Sequence, residues 1–319
     1  MAVQPVAVPW DPETQKGGGN ATSGRMTELT KGILGGLGSA MSWACISILT
    51  RSLSDTLGPA SINAIRSTVG GLLVLVVAVA SGYWWEIVEM PLWAVLTLWV
   101  SITIGLAVGD TVFFHGMRYL GVTRAHTLSM AHPLLTTAVG IGLLGEPVTL
   151  LRAAGILLVL GGLSLIIAGK GEGGAEMAGG RRRGVRLVLV AAATWSLSTI
   201  LLKGPLQVVS AMAAAAVRSP VGGSILWLTP WTRGAIRKVS TSRPEDLARL
   251  TAICLLSAAS ALLFTTGVKY GGVAVGTVLS TTSPLFTIPL EILVLGRRPS
   301  RRTVMGAIVT VGGIGLMNL

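Results

Sequence analysis

Two octapeptides, "AIRSTVGG" at 64–71 and "AVRSPVGG" at 216–223, lie inside long apolar runs of the 319-residue chain. Each sets an arginine among small and β-branched residues, and the second repeats the first at an offset of 152. The same offset pairs Trp43 with Trp195 and Arg51 with Lys203. Past a one-residue deletion the offset becomes 151: "FFHGMRYLGV" (113–122) meets "FTTGVKYGGV" (264–273), and "LSMAHPL" (128–134) meets "LSTTSPL" (279–285). Gly145, Gly155 and Gly162 likewise meet Gly296, Gly306 and Gly313. Matches at a nearly constant offset across both halves read as an internal duplication, not as shared composition.

The composition says what kind of protein was duplicated. Hydrophobic residues make up 51% of the chain and charged residues 12%, with a mean hydropathy of +0.72. Soluble domains carry roughly 25% charged residues, so the chain reads as an integral membrane protein. The net charge of +12 does not point to nucleic acid. Its basic residues cluster between apolar runs, as in "GGRRRGVR" and "LGRRPSRR", where they suit anionic lipid headgroups. No basic patch interleaved with aromatics appears, so no nucleic-acid partner is expected. Cys45 and Cys254 fall within apolar runs without CxxC spacing, so neither a disulfide framework, a metal nor a cofactor is expected.

Ten apolar segments emerge, at 32–50, 57–82, 92–119, 122–143, 149–169, 184–202, 207–229, 248–270, 273–295 and 302–319. The expected fold is an all-α membrane protein with ten transmembrane helices in two repeats of five. Five is odd, so the second repeat enters the membrane from the opposite side, and the repeats are inverted. The expected divisions are a disordered polar tail (1–30), a first repeat (31–169), a basic Gly-rich linker (170–183) and a second repeat (184–319). The tail lacks the apolar core of a signal peptide. Trp84, Trp85, Trp227 and Trp231 fall near segment ends, where interfacial anchors belong. The odd-numbered connectors hold 17 Lys and Arg against six in the tail and even-numbered connectors. That count places both termini outside.

Polar residues inside the apolar segments are the site candidates. Pro133 and Pro284 match each other and fall in mid-segment, where each frees the carbonyl four residues back, on Ser129 and Ser280. A freed carbonyl in hydrocarbon needs a partner or a wet cavity, so these read as matched helix breaks beside a binding site. Arg66 and Arg218 must face protein or water, since a charge at mid-bilayer costs about 2.5–3.5 kcal/mol. Either could receive an anionic group, or be held statically by helix-end carbonyls. Asp110, in "LAVGDTVFFHG", has apolar Ala261 as its counterpart. An intramembrane carboxylate points to a proton or cation site; the structural alternative is a hydrogen bond to a neighbouring helix. His115 lies about 140° around the helix from Asp110, so both reach one ligand only if the helix is distorted. His132 is the better cavity candidate, whereas His126 reads as a core residue. Trp43 and Trp195 could line the cavity, stacking on substrate. Glu291 is expected to reach the loop arginines Arg297 and Arg298, and Glu146 to complement a helix N-terminus.

With "MSWACISILTR" (41–51), the span-two arginine and "SMAHPLLTTAVGIGLLGEPVTLLRAAGILLVLGGLSLI" (129–166), the chain resembles the EamA-type transporters of the drug/metabolite transporter superfamily. The second copy keeps Pro284 and Gly306 but carries Arg297 where Glu146 would repeat. The resemblance implies a plasma-membrane secondary transporter that moves small metabolites, such as amino acids or amphipathic compounds, through a central cavity without nucleotide hydrolysis. It also implies termini inside, against the charge count. The expected partners are a small-molecule substrate, the lipid bilayer and, for a coupled carrier, H+, with the protein a monomer or homodimer. The competing reading is a membrane-embedded enzyme using Asp110 and the histidines, but no HExxH or nucleophile-elbow pattern supports it.

Overall fold

The computed structural model describes residues 18–144, 149–168, 180–280, 282–296 and 298–317. Its first half contains α1 (Gly18–Leu53), α2 (Pro59–Ala80), α3 (Trp84–Val88), α4 (Leu92–Ile102), a π-helical stretch (Thr103–Asp110), α5 (Thr111–Leu120), α6 (Val122–Ser129), α7 (Ala131–Leu144) and α8 (Leu150–Ala168). The second half contains α9 (Arg181–Lys203), α10 (Pro205–Val208), α11 (Ala211–Trp227), a 3-10 turn (Pro230–Thr232), α12 (Ala235–Ser240), α13 (Pro244–Ser280), α14 (Ser283–Leu295) and α15 (Arg301–Met317). Among the described residues there is no strand.

Polarity is arranged for lipid. Leu72, Val76, Trp99 and Leu157 point outward, while Arg66, Asp110, Asn63 and Glu291 are buried. A bilayer solvates the apolar exterior, and the polar groups must find partners inside.

The helices pair across the halves, and small residues set each crossing. α2 packs on α11 through the two octapeptides. A Cβ at Gly71 would lie 2.6 Å from the Ser219 carbonyl carbon, and one at Gly223 would lie 2.8 Å from the Ser67 carbonyl carbon. Adding 152 converts each contact into the other, so the interface is self-complementary. The later residues of α2 meet the earlier residues of α11, so these matched helices run antiparallel. α8 and α15 repeat the arrangement: a Cβ at Gly162 would meet the Gly306 oxygen at 2.8 Å, and one at Gly313 the Gly155 oxygen at 2.9 Å. α1 packs on α13 through Gly35 and Gly267, as its counterpart α9 packs on α5 through Gly184 and Gly116. Backbone approach of this kind lets dispersion hold helices together where lipid removes the hydrophobic drive.

Several expected boundaries move. α1 begins at Gly18, so residues 18–30 of the expected tail are helical, and residues 1–17 lie outside the described residues. α9 begins at Arg181, inside the expected linker, of which 170–179 lies outside the described residues, as does Glu146. Five helical stretches are long and apolar enough to cross a bilayer: Thr30–Leu53, Pro59–Ala80, Leu92–Leu120, Arg181–Val208 and Pro244–Gly271. α11 with Pro230–Ser240 bends by 82°, and Ala153–Ile166 and Ser283–Leu295 are shorter apolar helices. The expected fourth segment breaks at Met130, and the expected ninth breaks before α14. The connector expected at 271–272 is absent, because α13 runs unbroken through "VKYGGV". In the first half the matching position, Gly121, has φ 81° and does separate α5 from α6.

Candidate functional site

A cavity of about 200 Å³ lies between the halves, lined from both. Trp43, Arg66, Asp110, His132, Trp195 and Arg218 all line it, as do Ser129 and Ser280.

Asp110 is the hub. It ends the π-helical stretch, where the backbone is wider than an α-helix and its carbonyls are accessible to side chains. The Asn63 amide of α2 donates to the Leu106 carbonyl at 3.0 Å and to Thr111 Oγ1 at 2.8 Å. Trp195 Nε1, from α9, donates to the Gly105 carbonyl at 3.1 Å and to Asp110 Oδ1 at 2.8 Å. Gly109 makes the second contact possible, since a Cβ there would lie 2.8 Å from the Trp195 ring. The other Asp110 oxygen is ion-paired with Arg66 Nη2. Arg66 Nη1 reaches Ser257 Oγ at 3.2 Å, and its guanidinium lies over Trp43 and Phe114, each 5.2 Å from the ring centroid. The matched tryptophans meet edge to face, 5.9 Å apart. Apart from the Arg66 Nε, which has no hydrogen-bond partner, the two charges are met by each other, by hydrogen bonds and by ring faces, as a buried ion pair requires.

Arg218 has a different setting. Its Nη2 points to Ser101 Oγ at 3.3 Å and Ser198 Oγ at 3.4 Å. Those serines exchange hydrogen bonds across α4 and α9: Ser101 Oγ donates to the Ser198 carbonyl at 2.8 Å, and Ser198 Oγ donates to the Ser101 carbonyl at 2.7 Å. Their protons are committed, so their lone pairs turn to the guanidinium.

Three expectations need correction. His115 does not line the cavity: α5 is regular beyond Asp110, and the ring sits 2.8 Å from the Thr111 carbonyl on its own helix. The distortion falls on the N-terminal side of Asp110, so it leaves the angle between the two residues unchanged. Pro133 and Pro284 do fall at matched helix breaks, as expected, but they begin the helix after each break and do not interrupt one in its middle. Each sits in the first turn of a new helix, α7 or α14, where a missing N–H costs nothing. The carbonyl of Ser129 faces His132 Nδ1 at 3.2 Å. Glu291 does not snorkel to the loop. It is 1% exposed and accepts from Thr123 Oγ1 and, at 3.0 Å, from the Thr123 amide in the first turn of α6. Asn63, Ser101, Ser198 and Ser257 complete the site, and the sequence reading did not single them out.

An all-helical body with an apolar exterior and a charged hollow between two matched halves has the build of a membrane transporter. The EamA-like transporter family matches residues 30–168 and again 182–319, and the chain belongs to that family, within the drug/metabolite transporter superfamily. It is 27% identical over 139 residues to an uncharacterized transporter, YvbV, of Bacillus subtilis (strain 168), a match covering 42% of this chain and 44% of that protein. It is 32% identical over 136 residues to an uncharacterized transporter of Archaeoglobus fulgidus, covering 43% of this chain and 47% of the relative. A WAT1-related chloroplastic protein of Arabidopsis thaliana is 23% identical over 287 residues, covering 86% of this chain and 66% of its own. The aligned regions thus span about half to two thirds of these relatives. One solved crystal structure shares the fold, with a TM-score of 0.66 at 19% identity over 90% of this chain and 96% of the other. The protein is accordingly a multi-pass membrane protein of a transporter family.

Proposed function

We propose that the protein is a plasma-membrane secondary transporter of small metabolites that crosses the bilayer ten times, five per repeat, and works by alternating access. One observation carries this reading: the buried, charged cavity is built jointly by two halves whose matched helices run antiparallel. Antiparallel repeats fit an odd number of crossings per half, and rocking one half against the other would expose a site between them to each side in turn. The volume, about 200 Å³, is smaller than pockets for drug-sized ligands, at roughly 300–1,000 Å³. It suits a small metabolite.

Asp110 is the point at which a proton gradient acts. Protonation removes the charge that holds Arg66 and frees that guanidinium toward the cavity, which Arg218 and His132 also face. The enzyme reading loses one of its residues, because His115 lies outside the cavity that Asp110 and His132 line. Flux of radiolabelled amino acids and small amphipathic compounds into proteoliposomes, with and without a pH gradient, tests the reading. The expected result is gradient-driven uptake by the native protein and gradient-independent uptake by Asp110→Asn. Uptake that ignores the gradient in both removes Asp110 from coupling, and no uptake of any compound removes the transport reading.

A further inference from the structure

Resting on the transporter reading, we infer that the cavity recognises a small organic monocarboxylate and that Arg218 binds its carboxylate. Arg218 is 7% exposed and lines the cavity, yet among the described residues it has no carboxylate partner. Its hydrogen bonds are two long ones to neutral hydroxyls; its Nε, like that of Arg66, has none. The matched Arg66 holds Asp110. The counterpart of Asp110 in the second half is Ala261, which also lines the cavity and carries no charge. Two guanidiniums thus face one carboxylate, and the lining contains no other Asp, Glu, Lys or Arg. Two cations this deep share one carboxylate, which is already ion-paired with Arg66, so the lining is one negative charge short, and an arriving anion supplies it.

The chemistry narrows the anion. A guanidinium fork matches a carboxylate with two parallel N–H···O bonds. A single negative charge neutralises the lining, whereas a dianion reverses its sign. Trp43, Trp195, Phe264 and Leu106 supply apolar wall for an organic body, which an inorganic ion would leave empty. The vacancy at Ala261 lets the substrate occupy in one half the place that Asp110 fills in the other.

The test is the thermal unfolding shift of the full chain in detergent. Propionate, benzoate and 3-phenylpropionate are each compared with the corresponding amide, because a ligand that binds only the folded state raises the melting point. At least one acid is expected to stabilise the native protein where its amide does not. Arg218→Gln should weaken that acid by about 10- to 100-fold, the usual worth of a charge-assisted bond. Arg218→Lys should fall between, keeping the charge but not the fork. Ala261→Asp should abolish binding without loss of thermal stability, by giving Arg218 an internal partner; this variant decides the matter if Arg218→Gln does not fold. Equal shifts from acids and amides, or Ala261→Asp binding the acid as tightly as the native protein, overturn the inference. Neutral or cationic solute flux without carboxylate preference would leave the transporter reading intact. Carboxylate binding without any flux would do the reverse.

Discussion

Arg66 and Arg218 occupy the same position in two copies of one octapeptide and open into one cavity, but their surroundings differ. Arg66 is held by a carboxylate, a serine and two aromatic faces. Arg218 is held by two serine hydroxyls whose protons are spent elsewhere. The backbone settings are alike, since Gly71 and Gly223 bring each helix against the other through the same contact read in both directions. Duplication thus supplied a symmetric scaffold, and one carboxylate on one half made its charge asymmetric. In a membrane that asymmetry matters, because no bulk water compensates an unmatched charge.

Breaking the Arg66 side should cost most. Asp110→Ala strands a buried guanidinium and should destabilise by about 3–5 kcal/mol, seen as a lower melting point and loss of the monodisperse species on size exclusion. Replacing both partners, as Arg66→Met with Asp110→Leu, should recover most of that stability. If the double variant is no better than the single, the pair is not what holds these helices. Trp195→Phe removes the indole donor to Asp110 and should cost about 1.5–3 kcal/mol by the same melt. The symmetric scaffold makes its own prediction. Gly71→Leu and Gly223→Leu should each cost about 1–3 kcal/mol or more, by similar amounts. Gly161→Ala, where a Cβ meets nothing within 4 Å, should stay within about 0.5 kcal/mol. Unequal losses at the matched glycines would break the symmetry. A small effect belongs to the Arg218 side: Ser101→Ala removes the bond to the Ser198 carbonyl of α9 and the one accepted from Arg218 of α11, and should cost about 0.6 kcal/mol per bond, at most about 1.7.

The repeat was legible in the sequence because its consequences are local to matched residues. Positions offset by 152, such as Trp43 with Trp195, meet in space. Most of the cavity was legible too, because a polar residue in an apolar run must turn inward. The misses share a cause. An eight-residue π stretch is too short for its hydrophobic period to stand apart from an α-helix, so Asn63 and Gly105 carried no visible signal. Pro133 suits a helix start as well as a kink, and only the break at Met130 decides which. Ser101 and Ser198 are 97 residues apart, and serine is common in membrane helices, so their pairing exists only once α4 and α9 pack. Glu291 turned from the loop to α6 because the unpaired amide of Thr123 offered a buried partner.

Ser260 lies on the cavity wall, 3.4 Å from Ser39 of the opposite half. The most direct trial of a shared, alternately opened cavity is to place a lone cysteine there, Ser260→Cys, with Cys45 and Cys254 replaced by alanine. The variant is labelled with a membrane-impermeant thiol reagent in right-side-out and in inside-out vesicles. The account predicts labelling from both faces; labelling from one face only, or from neither, would contradict it.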